Sequence, residues 1–142
     1  MIKLFKNNKK DINDNDLFLS KVASLLIHAA KIDEIYTDEE EKIIKKTLIK
    51  LGTKNSNIDE IIFEATLNEK NSNQILDFTR EVKNTSKSDK IQIIKALWEI
   101  IYSNNKADMY ETNLMRRLAG LLYIDNKLMG DIKESVKKEF SK

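Results

Sequence analysis

A chain of 142 residues fits one domain able to bury roughly 70% of the surface its unfolded form exposes, and 25 basic against 23 acidic residues leave a formal charge of only +2. That balance excludes a global field drawing the chain onto nucleic acid or an anionic membrane, and the absence of Cys excludes disulfides, thiolate metal ligands and a Cys nucleophile. With 41% hydrophobic and 34% charged residues, no Pro and three Gly, the chain is too apolar for disorder and almost uninterrupted for helices, so an all-α fold is expected.

The opening MIKLFKNNKK sets Ile2, Leu4 and Phe5 among four lysines with no acid. Residues 1–13 are expected to be a flexible basic segment, with at most weak contact between residues 1–10 and a membrane surface. The helical domain is expected over 14–142. No apolar stretch of signal-peptide length follows the lysines, and no run approaches the ~20 residues that cross a bilayer. A cytoplasmic protein without a transmembrane segment is expected.

Phe18, Val22, Leu25, Leu26 and Ala29 recur at helical spacing, with Lys21, Ser24, His28 and Lys31 opposite, which predicts a first helix over 14–32 with a polar face. A second is predicted over 38–51 with Ile43, Ile44, Leu48 and Leu51 inward, stopped by Gly52. After a turn at Asn55–Asn57, Ile58, Ile61, Ile62, Ala65 and Leu67 predict a third. Ile75, Leu76, Thr79 and Val82 predict a fourth beginning near Ser72, and Asn84–Ser88 separates two halves. The stretch KIQIIKALWEIIY is apolar almost all round and predicts a buried, central fifth helix. The sixth runs from Asp108 to about Tyr123 with Arg116 and Arg117 pointing away. Leu128, Ile132, Val136 and Phe140 form the narrow stripe of a seventh. The expected fold is thus a single compact bundle of about seven helices.

Laying residue 33 over residue 104 sets Leu26 on Leu97, Glu40 on Glu111 and Leu51 on Leu122, an offset of 71 under which apolar positions largely match. Two pseudo-repeated helical hairpins are expected from it. In each, a helix is followed by a short polar stretch opening with Asp or Asn, and a Glu opens the next helix seven positions on: Asp33 to Glu40, and Asn104 to Glu111.

This layout, with LWEIIYSNNKADMYETNLMRRLAGLLYI over Leu97–Ile124, resembles the TerB family of tellurite-resistance proteins and their relatives, including the N-terminal domain of DjlA-type co-chaperones. The resemblance covers about Leu17 to Phe140. It implies a stress-associated role linked to tellurite resistance, exercised without catalysis by binding a divalent cation or a protein partner. Where the family has Asp-Gly, this chain has Asp33-Glu34 and Asn104-Asn105. Glu tolerates the positive φ of such a turn poorly, and the second half lacks the first carboxylate.

Six carboxylates fall in the nine positions from Asp33 to Glu41, and two accounts of them stand. Thr37-Asp38-Glu39-Glu40 and Asp108-Met109-Tyr110-Glu111 both fit a capping box, and acids in a first turn favour the positive end of the helix dipole. Alternatively, Asp33, Glu34, Asp38, Glu40, Asp108 and Glu111 supply oxygen donors to calcium or magnesium, though not at EF-hand spacing. Lys45 and Lys46, with Arg116 and Arg117 at the matching repeat positions, form a candidate basic docking face for an acidic protein partner. One His without Cys makes no zinc site, and no nucleophile elbow or phosphate-cradling loop occurs. His28 is read as an ordinary surface residue, and Trp98 with Tyr102 as packing aromatics. The expected function is a non-enzymatic module that binds a divalent cation, calcium or magnesium, or a protein partner through its acidic inter-helix loops. The rival is a pure protein–protein interaction domain whose acidic loops only cap helices.

Overall fold

A computed structural model of the chain describes residues 14–31, 36–71, 75–103 and 109–140, with the backbone alone at Asp14, Asn15 and residues 109–112. Among the described residues there are seven α-helices and no strand: α1 (Asp14–Ala30), α2 (Asp38–Lys50), α3 (Ile58–Lys70), α4 (Leu76–Val82), α5 (Lys87–Ser103), α6 (Met109–Leu121) and α7 (Asn126–Phe140). A 3-10 turn at Asn55–Asn57 leads into α3. The N-terminal segment lies outside the described residues, as do Ser72–Gln74 before the short α4.

The centre of the bundle is α1, which packs against α2, α3, α4 and α5. Leu19, Val22, Ala23, Leu25, Leu26, Ile27, Ala29 and Ala30 are all buried, so little of its C-terminal half faces water. The expected polar face of this helix is corrected at Ser24, which is fully buried and donates its hydroxyl to the Ala65 carbonyl at 3.0 Å. A small hydroxyl with a carbonyl in reach loses little on burial, so it serves a buried position as an apolar residue does. Periodicity had misplaced Ser24 because it counts every hydroxyl as outward. Helix α5 is buried as expected, from Ile93 to Ile101 apart from the half-buried Lys95, and lies against α1, α2 and α7.

Boundaries shift where caps decide them. Helix α5 starts at Lys87 rather than Lys90, because the Ser86 hydroxyl accepts from the Asp89 amide at 3.1 Å and nucleates a turn inside the expected separator. Helix α7 starts at Asn126, where the Asp125 carboxylate takes the Leu128 amide at 2.8 Å. Leu67 and Phe140, read as inward, are 45% and 40% exposed, each in the last turn of its helix.

The internal repeat extends beyond the expected hairpins to a third helix in each half. Helices α2 and α6 are 13 residues each and start 71 positions apart, at 38 and 109. Their C-terminal ends are the same motif bond for bond. In α2 the Thr53 amide donates to Leu48 O (2.9 Å) and the Gly52 amide to Ile49 O (3.0 Å); in α6 the Ile124 amide donates to Ala119 O (2.9 Å) and the Tyr123 amide to Gly120 O (3.3 Å). This is a Schellman cap, whose linking residue turns left-handed. Gly52 has φ 116°, and Tyr123, at the same repeat position, has φ 59°. A left-handed Tyr is disfavoured by its Cβ; here its ring, 69% exposed, lies near the ammonium groups of Lys83 and Lys90 at 6.0 and 5.6 Å. The third helices also correspond: α3 packs on α1 as α7 packs on α5. Gly52→Ala is expected to cost at least about 1 kcal/mol, read as a lower urea midpoint at unchanged slope; an unaltered midpoint would remove the conformational reason for glycine there.

Candidate functional site

The first acidic elbow closes on itself. Thr37 has the extended backbone of an N-cap, its hydroxyl accepts from the Glu40 amide at 3.1 Å, and the Glu40 carboxylate accepts from the Thr37 amide at 2.8 Å. Glu40 is only 1% exposed. A buried carboxylate needs such donors, and the first turn of a helix supplies them. Asp38 and Glu39 are exposed, and Glu41 pairs with Lys45 one turn on at 3.1 Å.

The half-buried Tyr36 stands at the mouth of this elbow. Its phenol pKa is pushed up to about 12, first by burial and then by the charges of Glu41 and Glu40. A proton held more tightly in the folded state gives stability that is complete below the unfolded value of 10.0 and is lost as pH rises toward about 12. Urea unfolding across that window should therefore weaken less steeply in Tyr36→Phe than in the parent; parallel curves would show that burial of the phenol is not linked to folding.

Of the six expected oxygen donors, the structure places Asp38 on the surface and Glu40 in the cap. Asp33, Glu34 and Asp108 lie outside the described residues, as does the side chain of Glu111. Among the described residues, no three His or acidic side chains converge as a metal-binding group.

The four candidate basic residues differ in what they already touch. Lys45 is held by Glu41 and by Asp59 of α3 at 3.4 Å, and both contacts raise its pKa. Lys46 lies 4.0 Å from Glu99, a carboxylate nearly buried on α5. Arg116 and Arg117 are exposed on α6, where Arg116 donates to Asn113 at 3.3 Å. The basic pairs thus sit on separate helices, and the first is largely tied up by carboxylates of this chain.

His28 corrects a second expectation. It is half-buried, its Nδ1 lies 3.2 Å from Glu69 on α3, and Lys31 reaches the other oxygen of that carboxylate at 3.0 Å. Its ring sits against Phe78 of α4, with centroids 6.2 Å apart. The parallel run of α1 beside α3 brings Ser24 to Ala65 and His28 to Glu69, both 41 positions apart. No sequence spacing within one helix signals such a pair.

Sequence reading also missed a cleft of about 170 Å³ between α6 and α7, lined in part by Trp98 of α5. Trp98 packs on Tyr102 as expected, with ring centroids 6.1 Å apart, and the Lys133 ammonium lies 5.3 Å from its ring centroid. Met115, Arg116, Ala119, Asn126, Met129 and Gly130 complete the walls. A hint existed in Gly130, a residue that weakens a helix placed in the middle of α7.

A family model described as "Tellurite resistance protein TerB" matches residues 19–134. Neither curated proteins nor solved structures gave a match.

Proposed function

We propose that this chain, which belongs to the TerB family, is a non-catalytic, stress-associated module that binds a protein partner, its first acidic elbow serving as a helix cap. The observation that carries this reading is the Glu40 carboxylate, 1% exposed and spent on the Thr37 amide. An ion that drew this carboxylate off the Thr37 amide would leave a donor at the helix start unpaired, and one that shared it would have to reach a side chain that is almost wholly buried. The family's description is the ground for linking the chain to tellurite resistance. No described helix is long and apolar enough to cross a membrane.

The competing reading, cation binding at the elbow, draws on the exposed Asp38 beside Glu40. Thermal melting in calcium or magnesium separates the two, because a ligand bound only by the folded state raises the midpoint with concentration. A constant midpoint across roughly 0.1 to 10 mM of either ion is expected, since a site of 0.1 mM affinity would already stabilise by about 2.7 kcal/mol at the upper end. A rising midpoint would replace the interaction module with a cation-binding one. Loss of the gene is expected to lower tolerance of tellurite in the host; equal growth would sever the link to tellurite.

A further inference from the structure

We propose that the cleft between α6 and α7 is a docking slot for a partner-protein segment that carries a large aliphatic side chain next to a carboxylate. The proposal deepens the partner-binding reading above by naming what binds and where. Its argument comes from the repeat, because the first half carries at the equivalent positions a carboxylate and a leucine that the second half lacks.

Under the offset of 71, Arg116 corresponds to Lys45, Gly130 to Asp59, Ala119 to Leu48 and Lys133 to Ile62. In the first repeat the exposed Asp59 carboxylate reaches Lys45 at 3.4 Å at the surface, and Leu48 and Ile62 are buried. In the second, the acid is replaced by Gly130 and the two aliphatic side chains by Ala119 and Lys133. Lys133 matches Ile62 in bulk and Trp98 stands where the first repeat has Ile27, so what the second repeat lacks is the volume of the Leu48 and Asp59 side chains, at Ala119 and Gly130, and both of these line the cleft with Arg116 and Lys133. What is missing there is the carboxylate that Arg116 would pair with, and an aliphatic side chain at Ala119.

Packing does not require the glycine. A Cβ at Gly130 would meet nothing within 4 Å, although a helix interior favours nearly any other residue. Charge and size then select the occupant. Arg116 and Lys133 both line the cleft, so its charge favours an acid. A cleft of about 170 Å³ is smaller than the roughly 300–1,000 Å³ of small-molecule sites and suits a single anchoring side chain of a polypeptide. A carboxylate and an aliphatic side chain are what it lacks, so an acidic segment with an aliphatic anchor fits the slot.

Trp98 is the only tryptophan in the chain, so its emission reports on the slot directly. The probe is a blocked pentapeptide with one leucine among four glutamates. A saturable change with a dissociation constant of about 0.1–1 mM is expected, weakening as salt rises. Controls with alanine for leucine, or lysine for glutamate, should bind at least tenfold more weakly. Gly130→Asp, which restores the acid of the first repeat opposite Arg116, should abolish the response in a folded protein. Gly130→Ala should raise the melting midpoint while weakening binding, a pairing that damage to the fold cannot produce. If Gly130→Asp does not fold, Arg116→Glu makes the same test. A flat titration, an equal response from the lysine peptide, or unchanged binding in the folded Gly130 variants would overturn the proposal. So would 4-methylpentanoate binding as tightly as the peptide, because the slot would then take a free acid. None of these results alters the cation melts, so failure of the slot and failure of the interaction-module reading stay distinct.

Discussion

Replacing Leu26 with Ala is expected to lower the folding stability by about 3 kcal/mol. Leu26 is fully buried in the middle of α1, against the other helices of the centre. Removing its branched end forfeits both the transfer free energy and the contacts lining the resulting hole, which a close-packed bundle refills only in part. The repeat sharpens the expectation. Leu97, 71 positions on and also fully buried in α5, should cost a comparable amount when cut to Ala. Urea unfolding at constant slope measures both. A loss below about 1 kcal/mol at either position would mean that the centre is loosely packed there.

Glu40→Ala should cost about 2 kcal/mol, near the upper end for loss of a cap, because the Thr37 amide loses an acceptor in a nearly dry place. Glu40→Gln should recover most of this, since a glutamine carbonyl accepts from the same amide in a capping box. The pair discriminates sharply, because charge loss is common to both substitutions while cap loss belongs to Ala alone. Equal destabilisation by the two would assign the role of Glu40 to its charge and reopen the search for a cation at the elbow.

The helices were legible because their causes are local. Apolar spacing located α2, α3 and α6, the all-round apolar run of α5 announced its burial, and Thr37 and Gly52 marked where α2 begins and ends. The repeat could be read too, as the offset of 71 is matched by two identical Schellman caps. What escaped depends on which helix lies beside which. Ser24 reads as polar until Ala65 is set beside it, and His28 reads as a surface residue until Glu69 arrives from α3. Tyr123 would not be picked from sequence for a left-handed position, because glycine or asparagine is the usual signal there. The slot was hidden for another reason. It consists of what the second repeat lacks, and a missing side chain shows only when both halves are superposed.

Amide hydrogen exchange at Thr37, with and without calcium, tests most directly whether the elbow is a cap. Its N–H is held at 2.8 Å by the Glu40 carboxylate, so slow exchange is expected in the parent and in Glu40→Gln, fast exchange in Glu40→Ala, and no change on adding calcium. Loss of Thr37 protection that saturates with calcium would mean that the carboxylate leaves the cap for the ion, and would contradict the assignment.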